Sequence, residues 1–192
     1  MFSDDEVIEG VADVFAARGF KGTSVQMLAD ASGLGKQSLY NSFGDKQTLY
    51  LKALDCASAR FGAVVDEMAR APDGRRAIDL FFERLLCQCL SADPAEHACI
   101  VSAGLLEGLS EAPIADALRS KWASSHALLE AIVRRGQADG SVGASDPPAE
   151  LADLLMALMG GLRVSARAVP DPTRLHKTIG RALSLLDTAS AG

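Results

Sequence analysis

Several things are scarce in this chain, and each shortage removes a class of protein. Aromatic residues make up 5% of the 192, with seven Phe, two Tyr and one Trp. Three histidines leave little acid–base material for an enzyme. The β-branched aliphatics are few, 11 Val and 6 Ile against 32 Ala and 25 Leu, which favours helices over strands. No run approaches the roughly 18 apolar residues of a membrane-spanning helix. No phosphate loop, Ser–His–Asp order, metal-ligand spacing or paired carboxylates occur, so the sequence calls for no catalytic residue, no metal and no cofactor. The opening Ser3-Asp4-Asp5-Glu6 is acidic where a signal peptide is basic. A cytoplasmic protein without membrane contact is expected, with Cys56, Cys87, Cys89 and Cys99 as reduced thiols.

What is present is ordinary for a globular chain: 48% hydrophobic and 23% charged residues, enough for a core and unlike a disordered chain. The composition predicts an all-α protein. The net charge of −6 argues against a protein that coats nucleic acid indiscriminately. It is unevenly spread, however. Residues 18–52 hold Arg18, Lys21, Lys36, Lys46 and Lys52 against Asp30 and Asp45, a local balance of +3.

Helix signals follow one another along the chain. Ser3 with Glu6 forms a capping box before Val7, Ile8, Val11 and Phe15, and Gly19 stops the helix after Arg18. Thr23 or Ser24 caps a short second helix with Val25, Leu28 and Ala29 on its apolar side; Gln26 is either a capping partner or a contact to a partner molecule. Gly33-Leu34-Gly35 makes a tight turn, and a third helix runs from about Gly35 to Ser42 with Leu39 and Phe43 inward. Short helix, glycine turn, short helix is the helix-turn-helix order. A long fourth helix starts at Gly44-Asp45-Lys46 and ends near Arg70. Further helices are predicted at 75–90, from Pro94 to Leu109, from Pro113 to Asp139, from Pro148 to Ala168, and from a Thr173 cap to Thr188.

The stretch 14–54 carries the function. Phe15, Gly19-Phe20, Thr23-Ser24-Val25, Leu28-Ala29, Ala31, Gly33-Leu34, Ser38-Leu39-Tyr40, Phe43, Lys46 and Leu49 resemble the DNA-binding domain of the TetR family of bacterial transcriptional regulators. The run Leu39-Tyr40 to Phe43 to Lys46 is the most specific part. The resemblance implies a DNA-binding domain over 1–50, with the helix-turn-helix at about 24–43, and a helical domain over 51–192 for regulation, ligand binding and dimerisation. It implies a homodimer on a palindromic double-stranded operator, released by a small-molecule effector. Repression is the family's commoner habit.

Physical chemistry assigns roles within the motif. Lys36, Gln37, Ser38 and Asn41 face outward from the third helix. Lys suits guanine acceptors, and Gln or Asn suits adenine. Thr23, Ser24, Tyr40 and Lys46 are placed for the phosphate backbone, three of them at helix N-termini. The acidic first helix departs from the basic start common in the family, which argues against an arm in the minor groove.

The rest of the chain is read more coarsely. The large side chains Phe61, Phe82, Leu86, Leu106, Trp122, His126 and Met159, with Cys99, are candidates for an effector pocket. Leu128, Leu129, Ile132, Leu151, Leu154, Leu155, Leu158 and Leu162 are candidates for an apolar dimer seam, or else for intradomain core. Cys99 follows His97 at a helix start, where thiols become more reactive; an inert buried cysteine is the alternative. Cys87 and Cys89, two apart on a helix, point to different sides.

Overall fold

The computed structural model describes residues 3–91, 99–143 and 145–187. Among these, all regular structure is helical: α1 (Asp4–Gly22), α2 (Val25–Ser32), α3 (Lys36–Phe43), α4 (Lys46–Arg70), α5 (Gly74–Leu90), α6 (Ile100–Leu106), α7 (Ala112–Asp139), α8 (Pro148–Ala168) and α9 (Pro172–Leu183), with a 3-10 turn at Ser184–Leu186. This is the all-α chain that the composition predicts. The helix start at Pro94, the neighbour His97 and the helix end at Thr188 lie outside the described residues.

Local chemistry explains most boundaries. Ser3 and Glu6 form the capping box, with the Ser3 amide donating to Glu6 Oε2 at 2.7 Å. Gly19 takes φ +71°, a left-handed conformation, and breaks α1 before a final turn to Gly22. Asp73 caps α5 by accepting from the Arg76 amide at 2.7 Å. One cap differs from expectation. Asp171 caps α9, accepting from the Thr173 and Arg174 amides, because the helix begins one residue before Thr173 at Pro172.

The chain forms two compact units, Met1–Gly62 with Asp93–Trp122, and Ala63–Ala92 with Ala123–Gly192. In the first, α1 packs on α2 and α6, and α2 packs on α3. Its core holds Val11, Phe15, Leu28, Leu39, Leu49, Tyr50, Ile114 and Leu118. The Tyr50 hydroxyl, buried, donates to the Ile100 carbonyl at 3.2 Å. In the second unit α5 packs on α8 and α9. Its interior includes Ile78, Phe82, Leu129, Val133, Ala152, Leu155, Met156 and Leu175.

A close backbone crossing lies within the second unit. A Cβ on Gly74 would overlap the backbone of Gly136, and one on Gly136 would overlap Val142. At this crossing the Gly74 amide donates to Asp139 Oδ2 at 2.9 Å, and the Arg75 amide donates to Ser141 Oγ at 3.0 Å. Only small residues let α5 and α7 meet there.

Candidate nucleic-acid interface

The turn between α2 and α3 is held by its own side chains. Ser24 caps α2, accepting from the Met27 amide at 3.3 Å. Gly33 ends the helix at φ +67°. The buried Ser32 hydroxyl donates to Ala29 O and accepts from the Leu34 amide. These bonds fix the direction in which α3 leaves the turn.

Leu39 and Phe43, 0% and 6% exposed, anchor α3 in the core. That anchoring turns Lys36, Gln37, Ser38 and Asn41 to solvent and leaves Tyr40 half-buried. The exposed set is polar throughout. Gln37 Nε2 donates to Asn41 Oδ1 at 3.0 Å. The start of α4 is capped by Asp45, which accepts from both the amide and the hydroxyl of Thr48 at 2.8 Å. Those two bonds hold the Asp45 carboxyl below the usual carboxylate range.

Lys46 follows in the first turn of α4. Its Nζ lies 4.5 Å from the centroid of the Phe20 ring, a cation–π contact. Partial burial pushes its pKa down, and the nearby Glu107 carboxylate opposes that shift. The lysine is therefore half-buried and held, not a freely waving surface side chain.

Two members of the sequence-read set sit differently. Thr23 is 2% exposed, and its hydroxyl donates to Gly19 O at 2.6 Å, so it closes the end of α1 instead of facing a phosphate. Gln26 is no capping partner, because Ser24 is the cap; its amide donates to Asp30 Oδ1 at 2.7 Å. The contact missed from sequence is Glu107. Its Oε2 accepts from the Phe20 amide at 2.9 Å and the Lys21 amide at 3.3 Å, across 87 and 86 residues of chain. No local pattern signals it.

The pocket candidates are divided. Phe61, Cys99, Leu106 and Trp122 belong to the first unit, and Phe82, Leu86, His126 and Met159 to the second. Phe82 and Leu86 line a cavity of about 140 Å³ with Arg75, Asp79, Glu83, His176 and Leu183. Leu106 is 83% exposed at the end of α6. His126 Nε2 lies 3.1 Å from Asp153 Oδ1. Trp122 is half-buried on α7. Cys87 is exposed and Cys89 buried, as their spacing predicts; Cys99 is half-buried at the cap position of α6.

The seam candidates also separate. Leu129, Ile132, Leu151, Leu155 and Leu162 are buried inside the second unit, so they are core. Leu128 and Leu158 are half-buried, and Leu154 is 40% exposed. Apolar periodicity marks both kinds alike, which is why the sequence could not part them.

An N-terminal three-helix unit with a polar, solvent-facing third helix defines a helix-turn-helix protein. Known proteins agree. Residues 7–53 match the family model described as bacterial regulatory proteins, tetR family. The structure of the TetR family transcriptional regulator CifR, a cysteine-substituted mutant complexed with 26 bp double-strand operator DNA, superposes with a TM-score of 0.85 at 30% identity over 97% of both chains. The uncharacterized HTH-type transcriptional regulator YezE of Bacillus subtilis is 28% identical over 187 residues, 94% of each chain. The HTH-type transcriptional repressor AcnR of Corynebacterium glutamicum is 35% identical over 65 residues, 34% of this chain and 35% of that one. The chain belongs to the TetR family of bacterial transcriptional regulators. It is a transcription factor and not an enzyme. No helix among the described residues is long and apolar enough to cross a membrane.

Proposed function

We propose that this protein is a cytoplasmic homodimeric repressor that binds a palindromic operator and is released by a small-molecule effector. The observation that carries the reading is α3: an exposed row of Lys36, Gln37, Ser38 and Asn41 over the buried anchors Leu39 and Phe43. Those four side chains enter the major groove. Ser24, Tyr40 and Lys46 contact phosphates, while Thr23 is left out because its hydroxyl is already bonded. Ser24 accepts from Met27 and keeps its own hydroxyl proton for a phosphate oxygen.

Residues 1–50 read DNA, and residues 51–192 carry regulation and dimerisation. The dimer seam runs along the exposed apolar side of α8, where Leu154 and Val164 are 40% and 63% exposed with Leu158 half-buried between them. Two recognition helices then meet successive major grooves about 34–36 Å apart. An effector releases the DNA by favouring an arrangement with another spacing. The effector pocket draws on Phe82, Leu86, His126 and Met159 of the second unit, whose apolar majority suits an apolar or small amphipathic compound.

Selection from random duplex DNA tests the reading, followed by anisotropy titrations of the selected site at two salt concentrations. A palindromic consensus, bound as a dimer and weakened by salt, is expected. Enrichment of no sequence would overturn it.

A further inference from the structure

We propose that Glu107, in the turn after α6, is a positioning residue for the DNA-contacting face: it caps the last turn of α1 and, through Phe20, sets the ammonium of Lys46. The proposal rests on the reading of this chain as a DNA-binding regulator.

The need for a cap arises inside α1. Gly19 departs from helical geometry, so the turn Phe20–Gly22 starts afresh beyond the break. The first N–H groups of any helical turn have no partner within it. Here the partner comes from far along the chain. Glu107 Oε2 accepts from the Phe20 and Lys21 amides, and Lys21 Nζ returns a bond to the Glu107 carbonyl at 2.9 Å. A carboxylate suits that place, because the start of a helical turn carries partial positive charge. The glycine matters in two ways. Its φ is left-handed, and a Cβ on it would overlap the Glu107 carboxylate.

The capped turn carries Phe20, whose ring is closely surrounded. It stacks on Phe15 at 6.2 Å between centroids and meets Tyr50 edge-on at 5.2 Å. Lys46 Nζ lies over its face. Tyr50 in turn bonds to Ile100 O. Both ends of α6 therefore grip the same aromatic cluster, Ile100 through Tyr50 and Glu107 through Phe20. Displacing α6 breaks one of these grips, and the loss reaches Lys46 through the ring beneath it. All of these residues lie in the first compact unit.

Glu107→Ala removes the cap, while Glu107→Gln keeps an acceptor oxygen and loses only the charge. The full chain is titrated with its selected operator and with an unrelated duplex, and amide hydrogen exchange is measured at Phe20 and Lys21 without DNA. Glu107→Ala is expected to speed exchange at both amides and to weaken operator binding about tenfold, the loss of one charged hydrogen bond. Binding to the unrelated duplex should weaken as well, because the Lys46 contact is to phosphate and carries no sequence information. Glu107→Gln should restore slow exchange and bring operator affinity back to within about threefold of the parent. Unchanged exchange in Glu107→Ala overturns the cap. Faster exchange with unchanged operator affinity, or a loss confined to the operator while the unrelated duplex binds as before, overturns the coupling to Lys46. A parent protein that selects no DNA overturns the regulator reading instead, and the exchange result still decides the cap. Should Glu107→Ala lose cooperative unfolding, Phe20→Leu carries the test: operator affinity must fall while exchange at Lys21 stays slow, and unaltered affinity overturns the coupling.

Discussion

Gln37 donates its side-chain amide to Asn41 Oδ1, 3.0 Å away and one turn further along α3. The bond uses one lone pair of the Asn41 oxygen and leaves the other, with both N–H donors, for a further partner. In the proposed complex the two residues act as one reading unit. Asn41→Ala is expected to cost about 1–3 kcal/mol at one operator base pair and to relax specificity there. Because the two amides share a bond, the double variant Gln37→Ala with Asn41→Ala should lose less than the two single losses added together. Competition titrations against single-base operator variants measure both. Additive losses, spread evenly over all sequences, would remove the base-reading role.

Lys46→Ala should behave differently. A phosphate contact carries no sequence information, so binding should weaken on every duplex, and the slope of log K against log salt should shrink by about 1. A salt series on operator and unrelated DNA separates this from the Asn41 effect. An unchanged slope would show that the lysine serves only its ring contact with Phe20.

The crossing of Gly74 and Gly136 predicts a stability effect far from DNA. Gly74→Ala would drive a methyl into the Gly136 backbone, which cannot swing aside like a side chain. Overpacking of this kind costs about 1–3 kcal/mol. The urea midpoint should fall accordingly, with operator affinity of the folded fraction preserved. A variant as stable as the parent would mean that α5 and α7 separate there without penalty.

Asp139 gives a pH prediction at the same crossing. Ser141, first, and the Gly74 amide hold its carboxyl below the ordinary aspartate range. The folded-state pKa is the lower of the two. Its contribution is therefore complete above the unfolded value of about 3.9 and fades as pH falls through the depressed folded value. Asp139→Asn should lower the thermal midpoint at neutral pH and make its acid decline shallower. Parallel curves for variant and parent, displaced or not, would show that the shift carries no stability.

The α8 surface separates core from seam. Val164→Asp places a charge where the side chain is 63% exposed, so the monomer should fold while the dimer weakens in sedimentation. Leu155→Asp, at a 1% exposed position, should instead abolish cooperative unfolding. A Val164→Asp chain that remains as dimeric as the parent would move the seam elsewhere.

Elements governed by neighbours in sequence were legible. The Ser3–Glu6 box, the break at Gly19, the αL turn at Gly33 and the inward Leu39 and Phe43 all follow from residues within a turn of one another. Thr23 was less legible, since a hydroxyl beside a helix start can bond forward to a phosphate or back to Gly19, and only packing decides. The leucines of α7 and α8 show the same limit: Leu154 and Leu155 are adjacent and equally apolar, yet one is exposed and the other buried. Glu107 was invisible, because its partners are brought to it by the whole of the first unit.

Trp122 has a practical consequence. It is the chain's single indole, half-buried on α7, so intrinsic fluorescence excited at the red edge comes from one place per protomer. A compound that binds beside Trp122 should move its emission maximum, and one that acts elsewhere should leave the spectrum alone. Candidate compounds can thus be sorted by light, without a label and before any operator is known.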